Sequence, residues 1–341
     1  MLGLVYFGTL KTVTLILWIV ALWLGRRWIK ATTISWWKII VTGLLIVVGF
    51  QVLAGLMMPK MVAAGLPTIA GWGVIAFLYV VGTIFVVAIF FQIHGKNVVL
   101  ASLPTFAALI GMLLVITFVL KPFFVDAYRI PTMSMGPTLL GNHIRATCPE
   151  CGATRYGSAW TDYISDEFFE DMDMICDNFH ISQGCPWTDE AYSGDHILVS
   201  KLATPKRWDL LVFRFPHYPE HVYVMRLIGM PGETIQIEDG AVYADGQLLT
   251  LPPELEGLQY ADHLADNPNP TPLWGSIDRP AKLNDGEYFV LGDFTTNASD
   301  SRLWTFRSKQ SSGNPYAVPK EYIIGVAAEI YWPYDRWRSF P

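Results

Sequence analysis

The chain has 341 residues, with 24 Lys and Arg against 30 Asp and Glu, and a net charge of −6. This balance, without any basic stripe, argues against a nucleic-acid-binding protein. Residues 1–120 are almost purely apolar, whereas residues 121–341 carry most of the charged side chains. The composition therefore predicts a membrane part followed by a soluble part long enough to bury its own core.

Four apolar segments in the first part approach or exceed the about 20 residues needed to cross a bilayer. They are residues 4–24, 39–58, 69–91 and 98–120. Because Lys11 interrupts the first segment, an alternative has three spans, with that segment lying in the interface. A cleaved signal peptide fits poorly, since the apolar stretch is long and lacks a basic region before it and a small-residue site after it. We predict a multi-pass membrane domain in contact with lipid.

The loop after the first span carries the densest positive cluster near the membrane, Arg26, Arg27, Lys30 and Lys38. Basic loops are retained on the cytoplasmic side. With four spans, both termini lie on the opposite side. We therefore expect the soluble domain, residues 121–341, to be extracytoplasmic.

Beyond residue 121 the pattern changes to short runs rich in Val, Ile, Tyr and Phe, without a helical period, which indicates strands. The runs are FFVDAYRI, HILVSKL, DLLVFRF, VYVMRLIGM, TIQIEDG, AVYADG, EYFVLGD and YIIGVAAEIYW. Asp245-Gly246 and Asp285-Gly286 predict tight turns. The soluble part is therefore predicted to be a mostly antiparallel β domain, with an irregular insertion at residues 251–282 that is rich in Pro, Asn and Asp.

All four cysteines lie in one further insertion, residues 142–193. The motif CPECG, with Cys148 and Cys151, is typical of a zinc knuckle, in which a tight turn presents two thiolates to one metal. Cys176 and Cys185 would complete a Cys₄ site, with His180 as an alternative fourth ligand. Two disulfides in any of three pairings, or free thiols, are the other interpretations for an extracytoplasmic domain. Each of these roles is structural.

A serine flanked by two methionines follows the last apolar segment, in the stretch IPTMSMGPTL at residues 130–139. By itself this stretch is equally typical of a surface turn built on two prolines. Three further motifs follow in order: GDHILVSKL at 194–202, RWDLLVF and YVMRLIGMPGE within 207–233, and GDFTTNASDSR at 292–302. The ordered set resembles the type I signal peptidases, which are membrane-bound serine endopeptidases.

The resemblance implies transmembrane helices followed by a β domain of signal peptidase type, in a bacterial-type inner membrane. It implies cleavage of preproteins after small residues at −1 and −3, without a catalytic cofactor. Ser134 would attack the peptide, and Thr132 would stabilise the oxyanion with the Ser134 amide. Supporting positions are Tyr223, Asp293, Asp300, Ser301 and Arg302.

Two departures from the family pattern fall where the chemistry takes place. Met225 occupies the position of the family's lysine base, where an endoplasmic-reticulum branch has histidine, and a thioether cannot accept the serine proton. Ala298 occupies the position of the serine that orients this lysine. Both partners of the lysine–serine hydrogen bond that the resemblance implies are therefore replaced in this chain.

No neighbouring residue is an obvious substitute for the base. Arg226 stays protonated and is expected on the opposite face of its strand from Met225. His221 shares a face with Met225, but four residues along a strand is about 13 Å. Ser299 should face away from the side of Ala298. The remaining candidates from sequence are His143 and His196, which lie near the matched motifs.

Three functions follow from this pattern. The first is a signal peptidase that removes signal peptides from translocated preproteins. The second is a catalytically inactive relative that binds signal peptides, or associates with an active peptidase or translocation partner. A zinc-dependent hydrolase is weaker, because the sequence contains no HExxH motif. A transporter is poorly supported, since the apolar segments carry almost no charge.

Overall fold

The structure is a computed structural model that describes residues 2–31, 33–63, 68–159, 172–184, 190–262, 272–305 and 313–340. The chain divides into two compact units, Gly3–Pro122 and Phe123–Pro341. Each unit has a hydrophobic core of its own.

The first unit is helical. Its helices are α1 (Leu2–Trp28), α2 (Trp36–Ala63), α3 (Thr68–Phe91) and α4 (Lys96–Val115), which continues through a π-helical turn (Ile116–Leu120) into α5 (Lys121–Phe123). Long runs of Leu, Ile, Val and Phe form helices because a helix satisfies all of its backbone groups within the segment. The Trp18 indole N–H donates to the Tyr79 hydroxyl at 2.8 Å and links α1 to α3.

Two helices in the described part are long and apolar enough to cross a membrane, Val74–Phe91 and Lys96–Phe123. They overlap the predicted segments 69–91 and 98–120. The region of α2 contributes a shorter apolar helix, Trp36–Phe50. The four-span topology, and with it the spans at 4–24 and 39–58, therefore stays a prediction.

The second unit is built from antiparallel strands. In chain order they are β1 (Val125–Arg129), β2 (His143–Thr147), β3 (Thr154–Ser158), β4 (Asp173–Cys176), β5 (Ile181–Gln183), β6 (His196–Ser200), β7 (Leu210–Phe215), β8 (Tyr218–Gly229), β9 (Thr234–Glu238), β10 (Ala241–Ala244), β11 (Gln247–Leu248), β12 (Ala281–Lys282), β13 (Glu287–Leu291), β14 (Val318–Pro319), β15 (Ile323–Trp332) and β16 (Arg338–Ser339). The eight apolar runs coincide with β1, β6 to β10, β13 and β15, which confirms the antiparallel β domain.

The largest sheet has the order β1-β6-β15-β7-β8-β13-β14, with β16 paired to β15. A second sheet has the order β11-β10-β9-β12. Successive residues of a strand point to opposite faces, so β8 and β13 contribute side chains to two hydrophobic cores. Leu227 and Val290 pack in the main core, whereas their neighbours Ile228 and Phe289 pack against the second sheet.

Within the cysteine-containing insertion, the described residues form a third sheet, β2-β3-β4-β5. A small core joins this sheet to the main domain, and it contains Met133, Leu140, Tyr156, Ile175 and Phe294. Met133 directly precedes Ser134, so the insertion packs against the segment that carries the serine. The other predicted insertion, residues 251–282, contains a short 3₁₀ helix, Pro253–Leu255, and ends in β12. Residues 263–271 lie outside the described part.

Candidate active site

Ser134 lies in the turn that follows β1. Its flanking side chains Met133 and Met135 are fully buried, whereas Ser134 is only half-buried. The Ser134 carbonyl accepts a hydrogen bond from the Phe294 amide at 3.1 Å. The Thr132 hydroxyl lies 3.5 Å from the Ser134 hydroxyl. The two methionines thus hold the turn in the core while its hydroxyls face outward.

Ser134 borders a groove of about 580 Å³. Apolar side chains from β6, β7 and β8 contribute to its lining, namely Ile197, Val212, Val222, Val224 and Met225. The serine hydroxyl of the sequence motif and the predicted base position therefore meet in one cavity. Thr132 and Tyr223 also line it.

Met225 is only 3% exposed and packs in the main hydrophobic core. The next residue, Arg226, points the other way, as predicted: its Nε donates to the Asp293 Oδ1 at 2.7 Å.

The two tyrosines that line the groove are not bases either. Burial and Asp126 raise the pKa of Tyr128 to about 12, and burial raises the pKa of Tyr223. Among the described groove residues, therefore, no side chain is a proton acceptor near neutral pH.

The histidines considered as substitutes are engaged elsewhere. The His143 Nδ1 donates to the Gly141 carbonyl at 2.8 Å, and its Nε2 accepts from the Arg145 Nε at 3.2 Å. The His196 Nδ1 lies 3.4 Å from the Tyr331 hydroxyl, and His221 is exposed. None of these histidines lines the groove in the part of the chain that the structure describes.

Ser299 and Ala298 face different ways, as expected, but Ser299 is the one that reaches the groove. Ser299 is exposed and lines the groove, whereas Ala298 is buried. The segment from 292 to 300 is a loop, so the alternation of strand side chains does not apply to it. Ala298 lies against Gly292, where an added Cβ would come within 2.3 Å of the Ala298 Cβ and 2.6 Å of the Ser134 carbonyl oxygen.

Buried ion pairs support the loop that carries Ala298. The Arg302 Nη2 donates to the Asp300 Oδ2 at 2.7 Å, and both side chains are fully buried. Asp300 also accepts from the Gly292 amide at 3.0 Å, and the Ser301 hydroxyl accepts from the Val290 amide at 3.0 Å. These residues contact the backbone of the loop, so their role is to fix its conformation.

Two further contacts were not foreseen from sequence. Asp195 accepts from the Leu140 amide at 2.8 Å and from the Arg336 Nε at 2.9 Å. The Tyr260 hydroxyl, buried in the irregular segment, lies 3.5 Å from the Asp293 Oδ1. These partners come from segments 33 to 141 residues apart in the chain, so no local pattern could identify them.

The insertion brings Cys148, Cys151, Cys176 and His180 together, with one ligand atom of each within 4.8 Å of the others. The three cysteines of this cluster are free thiols. The predicted fourth ligand, Cys185, lies outside the described residues. His180, the alternative ligand from sequence, completes the set in the described part.

The family model described as "Signal peptidase, peptidase S26" matches residues 177–332. A probable signal peptidase I-1 of Synechocystis sp. is 30% identical over 156 residues, which cover 42% of this chain and 65% of that protein. A signal peptidase I of Pseudomonas aeruginosa is 27% identical over 244 residues, covering 67% of this chain and 72% of that protein. A solved signal peptidase I of Enterococcus faecalis is 24% identical over 36% of this chain and 97% of its own, with a TM-score of 0.25.

The matched region contains Met225, Ala298 and the ion pairs around them, and the Pseudomonas match extends over two thirds of the chain. The chain spans a little under two thirds of the Synechocystis relative. The antiparallel domain, the ordered motifs and the family match agree with one another. Together these findings support the signal peptidase I family for this chain.

Proposed function

We propose that this protein is a serine endopeptidase of signal peptidase type, which removes signal peptides from translocated preproteins after small residues. One observation carries the proposal: in a chain that matches this family, the Ser134 and Thr132 hydroxyls lie together at an apolar groove. The substrates, the inner membrane and the extracytoplasmic position of the domain belong to the same proposal.

The groove suits an extended peptide with small apolar side chains. Ile197, Val212 and Val224 offer apolar surface, while the exposed hydroxyl of Thr132 and the amides of its turn offer polar contacts. Ligand sites commonly combine an apolar lining with a few placed polar groups. Burying a small side chain here needs no charged partner, which supports a preference for small-x-small sequences.

In the proposed reaction the Ser134 Oγ attacks the carbonyl carbon of the scissile peptide bond. The Thr132 hydroxyl and the Ser134 amide are the donors for the resulting oxyanion. The Ser134 proton must reach the leaving amine, and Met225 cannot transfer it. An unaided serine loses the general-base contribution, of order 10²–10⁴ in rate. We therefore expect slow turnover from the unaltered chain.

A second candidate function has its own supporting observation. Met225 and Ala298 are both buried and apolar, where the family has a lysine and the serine that orients it. A protein with this arrangement would keep the groove and bind signal peptides without cleaving them, alone or beside an active peptidase.

The test compares the unaltered chain with Ser134→Ala, Met225→Lys, Ala298→Ser and the Met225→Lys/Ala298→Ser double variant. The substrate is a preprotein with an Ala-x-Ala site, and both binding and cleavage are measured. We expect slow cleavage that Ser134→Ala abolishes, and a rise of at least about 10²-fold in the double variant but not in either single one.

The outcomes separate the two candidates. Binding without cleavage by the unaltered chain, with cleavage restored in the double variant, would establish the inactive relative and overturn the peptidase. Absence of binding in every variant would overturn both.

A further inference from the structure

We propose that the insertion holds a structural zinc ion, ligated by Cys148, Cys151, Cys176 and His180. The donor set fits zinc, because three thiolates and one imidazole form one of the usual closed tetrahedral sites. The proposal is independent of whether the groove cleaves peptides.

The distances agree with a tetrahedral site. With zinc–sulfur bonds of about 2.3 Å, two sulfurs of a tetrahedron lie about 3.8 Å apart. The Cys151 and Cys176 sulfurs are 3.8 Å apart. A disulfide requires about 2.05 Å, so these two sulfurs are not bonded. All four ligand atoms lie within 4.8 Å of one another. A shift of about 1 Å would bring them to the separations found in a tetrahedral zinc site.

Two tight turns present the ligands. The Gly152 amide donates to the Cys148 carbonyl at 3.0 Å, and the Phe179 amide donates to the Cys176 carbonyl at 2.9 Å. The Asn178 side-chain amide donates to the Cys151 sulfur at 3.4 Å. Each turn thus presents two of the four ligands to the same cluster.

The fourth position is better filled by His180 than by a distant residue. The His180 Nδ1 is buried and has no hydrogen-bond partner among the described residues. The Glu150 carboxylate lies 3.8 Å from this nitrogen, beyond hydrogen-bond distance. A buried polar atom without a partner costs free energy. A metal ion bound by the imidazole would hold the His180 ring in the cluster without a carboxylate partner.

The site lies beside the segment that carries Ser134. Ile175 precedes Cys176, and Phe179 precedes His180; both pack in the core that contains Met133 and Phe294. The strands of this third sheet are short, since adjacent strands share only two to five paired residues. The zinc ion would therefore stabilise the packing that holds the serine turn.

The experiment measures metal in the full-length chain, purified in detergent under reducing conditions without added chelator. We expect about one zinc per chain and, after replacement by Co²⁺, the intense visible absorption of a tetrahedral thiolate site. Chelation should lower the melting temperature of the soluble unit by several degrees, about 4 °C or more. Re-addition of Zn²⁺ should restore it.

Variants identify the ligands. Cys176→Ser and His180→Ala should lose zinc, whereas Cys185→Ser should retain it. His180→Cys should keep zinc and shift the Co²⁺ spectrum toward that of a four-thiolate site. This variant keeps the proposal testable where Cys176→Ser fails to fold.

Three results would overturn the proposal. One is a folded, reduced chain without zinc that does not bind added Zn²⁺. Another is a disulfide among the three cysteines, identified by mass spectrometry in protein purified in parallel without reductant. The third is loss of zinc in Cys185→Ser with retention in His180→Ala, which would return the site to four cysteines.

Discussion

At the scale of single residues, Met225 and Ala298 are buried and apolar. They stand at the two positions where the resemblance to signal peptidases implies a base and its orienting hydroxyl. A buried lysine there would need its neutral form stabilised by burial and a hydroxyl partner. Met225 and Ala298 need no such partner, so both positions are buried here without an ionisable group.

His217 gives a prediction about pH. It packs against Phe215, with ring centroids 4.8 Å apart, and neither ring nitrogen has a hydrogen-bond partner among the described residues. Burial lowers the pKa of His217 in the folded chain. The unfolded chain then binds more protons near pH 6, so this residue lowers stability as the pH falls through about 6.5.

We expect His217→Phe to raise the free energy of unfolding by about 1 kcal/mol at pH 7, because it removes buried polar atoms without partners. The loss of stability between pH 7 and pH 5 should also become smaller. It does not vanish, since burial also lowers the pKa of His143 and His196. Denaturant unfolding at several pH values measures both effects, and exposed His221→Phe is the control. An unchanged pH dependence would contradict this assignment.

At the scale of elements, the serine turn is held by close approach of backbones. The Ile130 amide donates to the Asp195 carbonyl at 2.8 Å, where the segment before β6 meets the end of β1. Gly194 lies so near that an added Cβ would be 1.9 Å from the Ile130 carbonyl oxygen. Because this close contact is with a backbone oxygen, rotation of a side chain cannot relieve it. Only glycine fits this position without moving the segment that leads to Ser134.

Gly194→Ala should therefore destabilise the soluble unit by about 1–3 kcal/mol, as overpacking does elsewhere. It should also weaken signal-peptide binding to the groove, because Ile130 to Ser134 must shift. The neighbouring Ser193→Ala, at an exposed position, is the matched control and should stay within about 0.5 kcal/mol. Equal stability and binding of the two variants would show that the backbones separate at little cost.

At the scale of the whole molecule, the charge pattern predicts the orientation in the membrane. The basic loop with Arg26, Arg27, Lys30 and Lys38 favours the cytoplasm. Alkaline phosphatase fused after residue 340 should be active, whereas the same enzyme fused within residues 30–38 should be inactive. The opposite pattern would reverse the topology. Activity at both positions would overturn both alternatives, because in each of them three spans separate residues 30–38 from the soluble domain.

The sequence by itself determined the class of the protein and eight of the sixteen strands that the structure describes. Alternating apolar residues predict strands because one face of each strand must be buried, and the ordered motifs identify the family without any contact being known. Met225 and Ala298 were recognisable because each occupies a defined place in a motif. The turn at Asp245-Gly246 followed from local chemistry, and both residues adopt positive φ.

Only the tertiary structure decided which residues meet across long separations. The orientation of Ser299 depends on a loop that buried ion pairs hold, and strand alternation does not apply there. Asp195 meets Arg336 141 residues away, and no spacing rule covers such a contact. Likewise, His180 joins the cysteines because two turns converge in space. Local patterns reflect the strand and helix periods, whereas the composition of a site depends on which segments the packed core brings together.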